Sequence, residues 1–124
     1  MTDHPDVPPG CQLIVRDSVG STSEDAKTLA TEGAPGLTVV WAQEQTAGRG
    51  RHGRSWDSPR GNLYLSILLR PDCEIADAPQ IGFAVGAAMA RAIRAVAGAD
   101  VELKWPNDLL LEGQKLSGIL LESA

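Results

Sequence analysis

Cysteine is scarce in this chain, and so are aromatics: its 124 residues hold two Cys, three Trp, one Tyr and one Phe. Cys11 and Cys73 stand apart, without the spacing of a zinc knot or a redox pair, which excludes a disulfide-stapled scaffold and leaves two reduced, structural thiols. No apolar run reaches the length a membrane helix needs, so no membrane partner is expected. The opening MTDHPDVPPG lacks both the basic and the apolar region of a signal peptide, and a cytoplasmic protein is expected. There is no G-x-x-x-x-G-K-[ST], which excludes the lysine-bearing phosphate loop. Net positive charge is missing as well. At −5 the chain is not a general polyanion binder, whose basic residues would spread over a whole face.

What positive charge there is gathers in one place. From Gly48 to Arg60 four arginines face one aspartate, so the rest of the chain is more acidic than its net charge shows. In that stretch Gly48, Gly50 and Gly53 alternate with Arg49, Arg51, His52 and Arg54. Glycine lets a ligand approach the main chain, and guanidinium groups match phosphate and carboxylate oxygens in bidentate fashion. Trp56 and Tyr64 follow closely, flat rings suited to a base or a fused-ring ligand. The stretch reads as a focused anion cradle; a solvated hairpin tip with idle arginines is the plain alternative.

The remaining pattern is that of one mixed domain. Residues 1–12 are rich in Pro and Gly and are expected to form a loose arm, with residues 13–124 as the folded part. A short strand over Leu13–Arg16 is followed by a turn at Asp17–Gly20 and by Ser21, Thr22 and Ser23, hydroxyls that cap a helix running to about Ala30 and closed by Gly33. Strands are expected over Leu37–Ala42 and Leu63–Leu69, then a long helix from Pro79 to Gly98 whose small residues let it lie close on a sheet. Strands at Val101–Trp105, Leu109–Leu111 and Leu116–Glu122 complete the pattern, with turns at Pro106–Asp108 and Glu112–Gln114.

Two further groups carry chemistry. Pro106 breaks a strand and exposes Asn107 and Asp108, which can meet a polar ligand or hold a hydrated Mg²⁺, or, for Asp108, simply cap a turn. Lys115 opens an apolar strand, where a lysine is either a solvated edge charge or, turned inward, the neutraliser of a carboxylate or phosphate. Gly118 permits close approach to that strand. Ser21–Ser23 are either a plain cap or a set of hydroxyl and N–H groups offered to a ligand.

Together, STSEDAKTLA (21–30), EQTAGRGRHGRSW (44–56), SPRGNLYLS (58–66), KWPNDLLL (104–111) and KLSGILLE (115–122) resemble, in order, the catalytic domain of the biotin protein ligases within the biotin/lipoate ligase family. The resemblance implies an α+β fold with a mixed, largely antiparallel sheet and flanking helices, like that of class II aminoacyl-tRNA synthetases. It implies a ligase that uses MgATP to convert biotin to biotinyl-5′-AMP and then acylates a lysine of a biotin carboxyl carrier domain. It is compatible with a homodimer.

By the same resemblance Lys115, Arg49 and Arg51 are the catalytic residues. Ser21, Thr22, Gln45, Gly48, Arg49, Arg51, Lys115 and Gly118 surround biotin; Arg51, Arg54, Trp56, Asn107 and Lys115 surround ATP; Asp108 lies on the Mg²⁺ side. The chain departs from the family at Ser23, where many members have Asn. It has no winged helix, so DNA is not an expected partner, and it looks like the N-terminal half of the catalytic domain. A lipoate ligase is the nearest rival; a binding-only module and an RNA-binding glycine-arginine loop are the alternatives outside that chemistry.

Overall fold

The structure is a computed structural model that describes residues 6–106 and 108–123. They fall into two compact units, one ending at Pro71 and the other running from Asp72 to Ser123. Among the described residues no helix is long and apolar enough to cross a membrane.

In the first unit, β1 (Gln12–Val19), α1 (Thr22–Thr31), β2 (Thr38–Gln45) and β3 (Tyr64–Leu68) form a sheet of order β1-β2-β3 with one helix. β1 and β2 are parallel and β2 and β3 antiparallel, so both parallel strands deliver their C-terminal ends, and the N-terminus of α1, to one edge of the sheet. Val40 and Ala42 on the helix side are fully buried, while of their partners Tyr64 is buried and Ser66 half-buried. The other face carries Val15, Leu65 and Ile67, each more than one-third exposed. Ser21 caps α1 by accepting from the N–H groups of Ser23 and Glu24, and the Arg70 guanidinium closes the other end by donating to the carbonyls of Ala30 and Ala34.

β1 is longer than its apolar core predicts. Beyond Arg16 the polar residues stay in the ladder because Ser18 and Val19 pair with Glu44 and Gln45. Arg60 also straps this end, donating to both Asp17 oxygens and to Glu44. That guanidinium holds the Asp17 carboxyl below the usual carboxylate range.

In the second unit α2 (Pro79–Ala97) precedes an antiparallel meander of β4 (Glu102–Lys104), β5 (Asp108–Leu111) and β6 (Gln114–Gly118). Pro79 sits in the first turn of α2, and Gly98, with a φ of 66°, ends it. The helix lies close on the sheet at one point: a Cβ added to Gly86 would stand 3.2 Å from Leu103 Cδ2. Leu103 pairs with the fully buried Leu109, so this pair marks the face turned toward α2.

Two expectations are corrected here. Asp108 is not in the turn after Pro106 but opens β5, paired with both Lys104 and Gly118. The last strand is Gln114–Gly118 rather than Leu116–Glu122. Glu112 and Gly113 both have positive φ, the signature of a two-residue hairpin, which sets Gln114 directly opposite Leu111 and ends the pairing where β5 begins. Of the four strand pairings three are antiparallel, in agreement with the α+β class expected.

Gly86→Val should therefore destabilise the second unit by about 1–3 kcal/mol through overpacking against Leu103. Gly82→Ala, whose added Cβ meets nothing within 4 Å, should be neutral or stabilising by up to about 1 kcal/mol. Urea unfolding of the two variants checks the contrast.

Candidate functional site

The edge where β1 and β2 end is where a parallel strand pair and a helix N-terminus leave polar groups facing outward. Here it collects side chains far apart in sequence. Gln45, the last residue of β2, accepts from the Thr22 N–H through Oε1 at 2.8 Å and donates from Nε2 to Ser58 Oγ at 3.0 Å. Ser58 in turn donates to the Trp56 carbonyl at 2.9 Å. Thr22 Oγ1 lies 2.7 Å and Ser23 Oγ 3.3 Å from Ser66 Oγ on β3. Ser21, Thr22 and Ser58 are all buried.

The glycine-arginine stretch folds back as a bonded hairpin. Thr46 and Ala47 donate their N–H groups to the carbonyls of Val19 and Gly20, which carries the chain along the start of α1. Trp56 N–H then donates to Gly48 O, and Gly50 N–H to Arg54 O, with a bridge between Arg49 and Ser55 inside. Gly48 is required by space, because a Cβ there would stand 2.5 Å from both Ser58 Oγ and Trp56 O. The tip, Arg51–Gly53, turns through positive φ at His52 and Gly53. Arg49 lies at the base of the hairpin, its Nη2 2.8 Å from Glu24 Oε1 on the first turn of α1. Arg51 and Arg54 stand exposed at the tip. Trp56 is half-buried and packs over Gly50.

The second unit holds the other expected residues. A register shift at Leu109/Leu110 makes Leu110 pair with Lys115 instead of Leu116. Such a bulge moves every later side chain to the opposite face. It thereby puts Lys115 on the same face as Asp108 and Gly118, away from α2, and Lys115 Nζ lies 3.0 Å from Asp108 Oδ1. That oxygen is inaccessible to solvent and receives the ammonium as an ion pair without hydrogen-bond geometry. Lys115 is thus ion-paired, with its side chain still 42% exposed. Among the described residues no three His, Cys, Asp or Glu side chains gather as a metal site. Asp108 is the one carboxylate of this group, which fits a Mg²⁺ that brings its remaining oxygens with it from water and nucleotide. Asn107 lies outside the described residues.

Of the expected residues the structure brings Ser21, Thr22, Gln45, Gly48 and Arg49 into one cluster, and Asp108, Lys115 and Gly118 into another. Ser58, Ser66 and Glu24 complete these contacts and were not singled out from the sequence. Their signal was present only as spacing: Ser58 and Ser66 flank the run whose strand pairs with β2.

The biotin/lipoate A/B protein ligase family profile matches residues 16–124. The bifunctional ligase/repressor BirA of Bacillus spizizenii is 44% identical over 114 residues, covering 91% of this chain and 35% of its own length. The biotin protein ligase from Aquifex aeolicus, solved in complex with biotin and ATP, superposes with a TM-score of 0.80 at 35% identity, covering 91% of this chain and 47% of that one. The Leishmania major enzyme, solved with biotinyl-5-AMP, gives 0.78 at 32% identity, covering 95% of this chain and 53% of that one. The chain spans about one-third to one-half of the length of these proteins.

Gly48→Ala should cost about 1–3 kcal/mol, because the new methyl must displace the Ser58 hydroxyl or the Trp56 carbonyl from the Gln45 network. Gly53→Ala, with nothing within 4 Å of the added carbon, should cost only the strain of its positive φ. Chemical unfolding of both variants measures the difference.

Proposed function

Because this chain belongs to the biotin/lipoate A/B protein ligase family, we propose that it carries residues for the ATP-dependent activation of biotin and for its transfer to a lysine of a biotin carboxyl carrier domain. The observation that carries this reading is the meeting of Ser21, Thr22, Gln45 and Gly48 at one strand edge, where hydroxyl, amide and N–H groups are arranged for a small polar ring. The biotin, ATP and biotinyl-5-AMP bound by the similar enzymes support it.

In the first step a biotin carboxylate oxygen attacks the α-phosphorus of ATP and pyrophosphate departs. In the second the carrier lysine's amine attacks the acyl carbon, AMP departs and the amine loses a proton. The chain's own residues act by position and charge. Ser21, Thr22, Gln45 and Gly48 bind the biotin ring, and Gly118 allows its approach. Arg49 and Arg51 clamp the negative charge that develops, with Arg51 and Arg54 reaching the nucleotide and Trp56 packing on the adenine. Lys115 binds the carboxylate and the α-phosphate, and a nucleotide role for Asn107 rests on the family resemblance alone. Mg²⁺ would enter with ATP and neutralise phosphate charge, with Asp108 as its protein carboxylate. The loop over a reactive mixed anhydride also keeps water out. An acidic body with one arginine cluster favours such a focused site over RNA, whose binding would fall steeply with salt.

Pyrophosphate exchange that requires both ATP and biotin is the direct test, and saturation by biotin but not lipoate in calorimetry separates the two ligase types. Lys115→Ala should lower exchange by about a hundredfold or more, the scale for losing one charge-stabilising group, while circular dichroism stays native. Arg51→Ala should release biotinyl-5′-AMP into solution, seen as labelling of added free amines. Near-normal exchange by Lys115→Ala would remove the role given to that residue.

A further inference from the structure

Gln45 is held from two sides, and both holds agree on one orientation of its amide. The Thr22 N–H can only donate, so the end that meets it at 2.8 Å must be the oxygen. At the other end the partner is a hydroxyl, which could face either an oxygen or a nitrogen. Ser58 removes that freedom. Its single proton goes to the Trp56 carbonyl at 2.9 Å, so its lone pairs are what it turns toward Gln45, and only Nε2 can meet them at 3.0 Å. Reversing the amide would set two donors face to face at Thr22 and leave the Ser58 lone pairs facing an oxygen.

The Ser58 hydroxyl has little room to choose otherwise. It is buried, its backbone bridges Gln45 with the Gln45 N–H donating to Ser58 O at 3.1 Å, and its Oγ would lie 2.5 Å from any Cβ on Gly48. Beyond these bonds the carboxamide retains one Nε2 hydrogen and one Oε1 lone pair. Donor and acceptor are then offered side by side in a fixed order, which is the complement of a cyclic urea or cis-amide edge with its carbonyl oxygen beside an N–H.

The geometry points to Ser58 as a positioning residue that acts through Gln45, setting the order of donor and acceptor that the site presents to a cyclic-urea ligand. This rests on the biotin reading of the site. Ser58 itself does not touch the ligand; it decides which way Gln45 speaks to it.

Three measurements on the full chain test the assignment. Ser58→Ala should raise the Kd for biotin by about tenfold, the worth of one ordinary hydrogen bond, with ATP affinity unchanged, and Ser58→Thr should restore most of it. In the Gln45→Ala background, Ser58→Ala should have no further effect on biotin. Without any ligand, exchange of the Gln45 side-chain amide protons with water, followed by NMR, should be faster in Ser58→Ala than in the wild type. Additive losses in the double variant, or equal losses of biotin and ATP affinity, would overturn the assignment in favour of a merely structural serine. If the wild type binds no biotin, the functional reading fails separately, and an unchanged amide exchange rate in Ser58→Ala would then overturn the positioning role on its own.

Discussion

The Gln45 carboxamide joins segments that strand pairing alone would leave merely adjacent: the N-terminus of α1 through Thr22, and the returning limb of the hairpin through Ser58. Everything else at this edge depends on that junction. Orphan N–H groups at a helix start need acceptors; Ser21 supplies one from the residue that caps the helix and Gln45 another from β2. A buried polar cluster is stable only when every member is satisfied. Here the chain of donors runs from Thr22 N–H into Gln45, from Gln45 into Ser58, and ends on a carbonyl that can only accept. Its direction is fixed at both termini, so the cluster has a single arrangement.

The second unit solves a different problem with backbone register. Without the irregularity at Leu109/Leu110, Lys115 would share the face of Leu109 and point toward α2. With it, the lysine shares a face with Asp108, and the carboxylate oxygen that would otherwise be a buried lone charge receives an ammonium. With the lysine 42% and the aspartate 20% exposed, solvent shares in stabilising both charges, so the pair contributes modestly to the fold. The bulge thereby sets the lysine beside the carboxylate.

How much of this could be read from residues alone differs by element. α1 was legible because Ser21 caps it, acidic residues follow, and Gly33 closes it, each a local rule. α2 was legible at both ends for the same reason, with Pro79 and Gly98. Strand limits were less so: β1 runs past its apolar residues into Asp17 and Ser18 because a partner strand continues there, and β6 starts early because two positive-φ residues set its register. Ser21 and Thr22 were legible as a helix start and Gly48 as part of the glycine-arginine stretch, but Gln45 came only through family resemblance, since nothing local says that a residue at the end of β2 will meet a helix start twenty-three residues earlier. Ser58 and Ser66 escaped notice for the same reason. The importance of Ser58 lies in hydrogen-bond direction, which has no sequence signature.

The arginines of the hairpin divide by how they are held. Arg49 meets Glu24 at 2.8 Å, with the two side chains 33% and 59% exposed. An ion pair so open to solvent is worth about 0–1 kcal/mol, too little to withhold the guanidinium from a stronger anion but enough to keep it aimed at the start of α1, where the N-terminal dipole already favours negative charge. Glu24 thus acts on direction more than on charge. Arg51 and Arg54 stand exposed around a tip that turns through positive φ. Under the ligase reading proposed above, the braced base would meet the ring and its carboxylate, and the exposed tip would meet the nucleotide.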